Sequence, residues 1–173
     1  MVASDRPLTA PLTTAVQRYG QRVSIDHSAS DMTCLVVAPE DLVALCTHLR
    51  DDPALRFDFL SDICGVDIFP QTPRFMLVYH LFSVPHKWRL RLKCRLGDPP
   101  NAPTVIPVWP TANWHEREAY DMYGITFDGH PDLRRIYMWD GFDGYPMRRD
   151  FPLRGYKDDY NPLGVTRPSE AGE

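Results

Sequence analysis

The stretch that decides the fold is His86-Lys87-Trp88-Arg89-Leu90-Arg91-Leu92-Lys93-Cys94-Arg95, a strict alternation of two chemistries. In an extended chain successive side chains point to opposite faces. Trp88, Leu90, Leu92 and Cys94 therefore share one side, while Lys87, Arg89, Arg91, Lys93 and Arg95 share the other. A period of two with one apolar side predicts a half-buried strand. Working outward, residues 75–83 and 57–66 are rich in aromatic and branched residues and predict two more strands.

Further upstream the period changes. Pro39 sits where a first helical turn tolerates it, followed by Glu40 and Asp41. Leu42, Leu45, Cys46 and Leu49 then recur at helical spacing, with His48 and Arg50 near the end. Acid first and base last suits the helix dipole. Residues 22–26 and 32–38 predict short strands. Before them Leu12, Ala15, Val16 and Tyr19 share a face of a helix opened by Pro11 and stopped by Gly20. The pattern predicts an α+β fold with an antiparallel or mixed sheet and helices packed on one face.

The character shifts near Gly97. Residues 98–110 are proline-rich and predict irregular structure. A short helix follows, with Asn113 and Glu116 spaced as a capping box and Gly124 placed to close it. From Ile125 onward the period fades, apart from a short strand at 125–127, but the aromatics persist. Tyr137, Trp139, Phe142, Tyr145 and Phe151 stand among Gly, Pro, Asp and Arg. A disordered tail is poor in such residues. Aromatic and Arg side chains on an irregular strap suit a buried partner interface, the alternative being a strap wrapped on its own domain. The organisation expected is an α+β domain at 1–97, a connector and short helix at 98–124 belonging to the same domain, and an extended C-terminal docking segment at 125–173.

The 173 residues suit one domain with a tail, and 43% apolar content supplies a core. A net charge of -4 argues against a general nucleic-acid binder. Cys34, Cys46, Cys64 and Cys94 form no C-x-x-C pair, so neither a zinc nor an iron–sulfur pattern is present. Three lie in apolar periodic stretches, which reads as a reducing compartment without a disulfide framework, although four cysteines also allow two bridges. No apolar run approaches the roughly 20 residues of a membrane span. The first ten residues, with Asp5 and Arg6, do not read as a signal peptide.

Candidate chemistry is sparse. His115, Glu116, Glu118 and Asp121 crowd two helical turns, but the zincin pattern needs a second His at position 119, which is Ala. Arg117 and Asp121 are four apart, which favours a structural charge cluster over catalysis. His130 lies in a turn sequence with no neighbouring ligand. The cations of 86–95 invite comparison with a ferredoxin-like RNA-binding module. Trp88, however, points away from them, so a solvated face or one meeting an acidic partner fits better. No nucleotide cradle or nucleophile elbow appears.

One resemblance is specific. The run Glu116-Arg117-Glu118-Ala119-Tyr120-Asp121-Met122-Tyr123-Gly124-Ile125, then Phe127, then Gly129-His130-Pro131-Asp132-Leu133-Arg134-Arg135-Ile136, closely resembles the signature of the C-type, or 30-kDa, subunit family of respiratory complex I. Gly144, Pro146, Arg148 and Asp150-Phe151-Pro152-Leu153 resemble the same family's tail. Phe142, Met147 and Arg149 replace the usual Trp, Leu and Lys, conserving size and charge. The resemblance implies a cofactor-free subunit of the peripheral arm of a proton-pumping NADH:quinone oxidoreductase. FMN, iron–sulfur clusters and quinone would belong to partner subunits. The tail would pack on the hydrogenase-like large (D-type) subunit, near the iron–sulfur subunits of B and I type, at the cytoplasmic face of the bacterial inner membrane. A membrane-bound hydrogenase or another quinone-linked dehydrogenase could use the same subunit. In this reading Arg134, Arg135, Arg148 and Arg149 pair with partner carboxylates, and Tyr137, Trp139, Asp150, Phe151 and Pro152 complete the interface.

Overall fold

In the computed structural model, which describes residues 10–28 and 31–167, the chain runs α1 (Ala10–Tyr19), a 3-10 turn (Gly20–Arg22), β1 (Val23–Ile25), β2 (Cys34–Val37), α2 (Pro39–Asp51), β3 (Phe59–Asp67), β4 (Phe75–Ser83), β5 (Trp88–Leu96), β6 (Asn101–Pro103), α3 (Ala112–Tyr123) and β7 (Thr126–Asp128). The expectation for residues 1–9 lies outside the described residues. Five strands form one sheet in the order β1-β2-β5-β4-β3. The β2–β5 pair is parallel and the others are antiparallel, so the sheet is mixed.

The alternation that predicted β5 decides which face is covered. Leu90, Leu92, Cys94 and Leu96 are fully buried, and across the ladder Tyr79 meets Leu92 and Leu77 meets Cys94. They form one core with Leu42, Leu45, Cys46 and Leu49 of α2, Leu12 and Ala15 of α1, and Ala112 and Ala119 of α3. The helices therefore share one face. Each buried leucine contributes about 2 kcal/mol of apolar transfer. Lys87 departs from the expected stripe: the β4–β5 turn holds it at φ 56, outside the strand. α3 settles on β3 at Gly65, where a side-chain carbon would lie 2.5 Å from the Tyr123 ring. Only a glycine admits that approach.

Two expectations are corrected. The proline-rich connector is not wholly irregular, because β6 pairs in parallel with β7. Thr126 N–H donates to Pro100 O and Thr104 N–H donates to Asp128 O, at 3.0 and 2.9 Å. A parallel ladder uses alternate residues, so the missing N–H of Pro103 points away and costs nothing. The capping box also fails. The helix starts at Ala112 with no side-chain cap, and Glu116 turns into the core instead. Two buried donors on the connector outcompete the helix's own N-terminus for that carboxylate.

Candidate docking site

Every charged signature residue of α3 has its own direction. Glu116, fully buried, accepts from the Thr104 hydroxyl at 2.6 Å and the Val105 N–H at 2.7 Å, which pins the connector. Burial pushes its carboxyl from an ordinary 4.5 to about 7, against the opposing pull of those two donors. His130 Nε2 lies 4.0 Å from it. That is not an ion pair: Nδ1 accepts from Asp132 N–H and Nε2 donates to Asn113 O, the pattern of a neutral imidazole. His115 turns to Asp62 at 3.2 Å, and Glu118 accepts from the Tyr137 hydroxyl.

Arg117 and Asp121 do not pair along the helix as their spacing suggested. Both reach the strap. Arg117 donates to the carbonyls of Arg134 and Arg135 while its guanidinium lies 4.9 Å from the Trp114 ring centre. Asp121, fully buried, is the strap's first root. Its Oδ2 accepts the N–H groups of Ile136, Tyr137 and Met138 at 2.9, 2.7 and 3.0 Å, and its Oδ1 accepts Arg135 Nη1 at 2.8 Å. Burial alone would raise this carboxyl. The three backbone donors and Arg135 outweigh it, and the group stays below the usual carboxylate range. Arg135 also donates to Gly144 O and stacks between Phe142 and Tyr145, so its fork is engaged within the chain.

The second root is Asp67 at the end of β3. It accepts Arg74 in a two-pronged pair at 2.9 and 2.6 Å and the N–H of Arg149 at 2.8 Å. Arg74 then grips Asp150 with two bonds of 2.8 Å. The Arg74 pairing holds the Asp67 carboxyl far below its usual range despite burial. Arg148 donates to Tyr123 O at 2.7 Å and stacks 4.4 Å from the Tyr145 ring centre. Gly124, left-handed at φ 72, makes room, since a side chain there would strike Tyr145 at 2.5 Å.

The expected interface residues thus divide. Arg135, Arg148 and Asp150 hold the strap to its own domain, because the Asp121 carboxylate, the Tyr123 carbonyl and the Arg74 guanidinium respectively engage them within the chain. Phe151 is half-buried between Phe142 and Tyr156, and Pro152 is half-buried beside it. Arg134 is exposed and pairs with neighbouring Asp132, itself exposed beside Pro131, whereas Leu133 packs against the core. Arg149 reaches Phe69 O from an exposed position. Tyr137 and Trp139 remain open to solvent, Trp139 at 43%. Trp139 packs edge-on to Phe142 at 4.9 Å and meets Tyr160 at 5.1 Å. Tyr160 is 79% and Leu163 is 86% exposed, with Leu153 and Val165 also in solvent. Leu153 falls in the tail run Asp150-Phe151-Pro152-Leu153, and all four lie in the expected docking segment at 125–173, but none was among the expected interface residues. The same signal, bulky apolar residues among Asp, Asn, Pro and Gly, continues through Tyr160 to Val165.

Fold and site define a class: a small α+β protein in which α3 and the end of β3 together fasten an apolar-tipped strap. The chain belongs to the family described as respiratory-chain NADH dehydrogenase, 30 Kd subunit, whose model matches residues 35–157. It is similar to the C-type NADH-quinone oxidoreductase subunit numbered 2 of Rhizobium meliloti (strain 1021), at 58% identity over 96% of this chain and 91% of that protein. It is likewise similar to the corresponding protein of Rhizobium etli (strain CIAT 652), at 60% over 88% and 82%. Among solved structures, a chain of the membrane-bound sulfane sulfur reductase, an archaeal respiratory membrane complex, has a TM-score of 0.68 at 21% identity, covering 83% of this chain and 85% of that one. That is a likeness of fold alone. Family membership makes this a subunit of NADH-quinone oxidoreductase, complex I, with activity belonging to the assembly rather than to the lone chain. Among the described residues no helix is long and apolar enough to cross a membrane.

Proposed function

We propose that this chain is a scaffold of the peripheral arm of a proton-pumping NADH:quinone oxidoreductase, and that its strap docks the quinone-site and iron–sulfur subunits in fixed geometry. In this reading the strap lies on the hydrogenase-like large subunit, beside the iron–sulfur subunits of B and I type, at the cytoplasmic face of the inner membrane. FMN, clusters and quinone sit in those partners. The observation that carries it is the strap's division of labour. Buried carboxylates fix its root, so its exposed tip is preorganised, and a preorganised apolar surface loses little entropy on binding. Exposed Trp and Tyr at such a surface are typical hot spots.

The test is the double substitution Trp139→Ala with Tyr160→Ala. Both side chains are solvent-exposed, so the thermal midpoint of the lone chain should barely move. Co-purification with the hydrogenase-like large subunit, and NADH:quinone turnover of membranes, should fall as expected for a loss of roughly 2–4 kcal/mol at a true hot spot. Normal assembly in the double variant would overturn the reading.

A further inference from the structure

The sheet has a second face turned away from the helix-packed core; α3 reaches it at the β3 edge, where His115 meets Asp62 at 3.2 Å. Ladder register lines up Val66 with Met76, Val78 with Lys93, and Phe59 with Phe82 and Arg89 on this side. Val78 is buried, Met76 and Phe82 are half-buried, and Phe59 is 50% exposed; none joins the core cluster. This largely apolar lane runs along β3 and β4 and is interrupted midway by the register pair Asp62 and His80. Beside it stands the cation stripe of β5, and its charges are unequal. Lys93 is neutralised by Asp26 at 2.7 Å and Arg91 by Asp31 at 2.8 Å. Arg89 and Arg95, at the two ends, have no ion pair among the described residues, Arg89 lying 5.6 Å from the Phe82 ring centre. His80, midway along the lane, is pushed toward its neutral form by burial and by Arg91.

We infer that this open face seats an amphipathic helix of another subunit, its apolar stripe on Val66, Met76, Val78 and Phe82 and a carboxylate near each end meeting Arg89 and Arg95. The charge layout selects the partner: cations at the ends, closed ion pairs in the middle. The ladder selects the element. β4 is interior and β3 is the sheet's edge, so an added strand would extend the sheet in its own plane beside β3 and leave the lane's side chains uncovered. A helix satisfies its own backbone and needs only side-chain contact. Arg89 and Arg95 are six residues apart, about 20 Å along a strand, which corresponds to carboxylates about 13 residues apart on a helix. This face is distinct from the strap, and the inference rests on the proposed function only in that the chain is part of an assembly.

The test uses the assembled complex with a photo-crosslinking residue at position 59 in one preparation and at position 139 in another. Position 59 is exposed, so the label is tolerated by the fold; carbene footprinting of Met76 in the unlabelled complex gives a second reading. The expected result is a link from position 59 to an acid-flanked helical segment of another subunit, with Met76 protected on assembly. Arg89→Glu with Arg95→Glu should cut that link at least tenfold and leave the link from 139 intact. Position 59 linking only to residues 1–9 or 168–173 of its own chain, or to a segment without paired acids, overturns the inference. So does an unchanged yield after charge reversal, or a labelled Met76 in a complex that still links through 139. Failure of 139 to link to any partner, with 59 linked as expected, would instead count against the strap reading alone.

Discussion

The sheet core and the strap belong to one chain and are held by different physics. In the core, fully buried leucines from β4, β5 and α2 interlock, and burial follows directly from period. In the strap, large apolar groups stay in solvent, and two buried carboxylates do the holding. Area burial is spread over many residues and degrades gradually. A carboxylate collecting three N–H groups and a guanidinium concentrates its effect at one side chain. The core is therefore robust to single polar changes at its rim, and the strap is vulnerable at its roots.

Asp121→Ala separates the two regions most sharply. It leaves three N–H groups without an acceptor and takes the carboxylate from the mostly buried Arg135, which keeps only carbonyl acceptors, a loss of roughly 3–5 kcal/mol for a broken buried pair. The strap can escape that cost by peeling into water, so amides 136–138 should exchange at least 100-fold faster while the core midpoint moves little. Leu92→Ala should do the opposite, lowering core stability by roughly 2–5 kcal/mol through a cavity. Hydrogen exchange resolved by segment checks both. If Asp121→Ala unfolds the sheet along with the strap, the two regions are one cooperative unit and the contrast fails.

The difference also explains what could be read from the sequence. β3, β4, β5 and α2 were legible because nine to thirteen residues give a period room to show. β7 was legible as a short strand at 125–127, one residue early, whereas β6 was not, because its three residues carry no period and the prolines of the connector argued against any strand. The capping box misled because Asn113 and Glu116 have the right spacing, and spacing is silent about Thr104 and Val105. The roots were invisible for the same reason. Asp121 reaches 14–17 residues ahead and Asp67 reaches 82, and no local rule links such positions. The strap itself was legible by composition, though not the division between its fixed root and free tip.

Acidity should sharpen the contrast next. The Glu116 carboxyl has a raised pKa in the folded chain, about 7 against 4.5. The folded state therefore holds a proton that the unfolded state has released across that window, so the contribution is full below pH 4.5 and is lost as pH rises through 7. A shift of that size corresponds to about 3 kcal/mol. Asp67 and Asp121 have lowered values, so their contribution is present above the ordinary carboxylate range and fails only in stronger acid. Denaturant titrations from pH 4.5 to 8 should show core stability falling with pH. Glu116→Gln, which can still accept from Val105 and donate to Thr104, should flatten that slope. A persisting slope would place the titrating group elsewhere.

The smallest expected effect probes whether the core is as apolar as the contrast requires. Tyr79, fully buried at the centre of β4, has a hydroxyl without a hydrogen-bond partner among the described residues. Burial pushes the phenol well above its usual range, and the charges of Cys94, Cys46 and Glu116 add to the rise. An unpaired buried hydroxyl costs roughly 1–3 kcal/mol, and removing it without changing ring shape recovers part of that. Tyr79→Phe should therefore raise stability by about 1 kcal/mol, a shift of roughly 2–4 °C in thermal midpoint for a chain of this size. Differential scanning calorimetry of the two proteins measures it. A lower midpoint in the Phe variant would mean that Tyr79 is itself a polar anchor, and that the core, like the strap, is held at a point rather than by area.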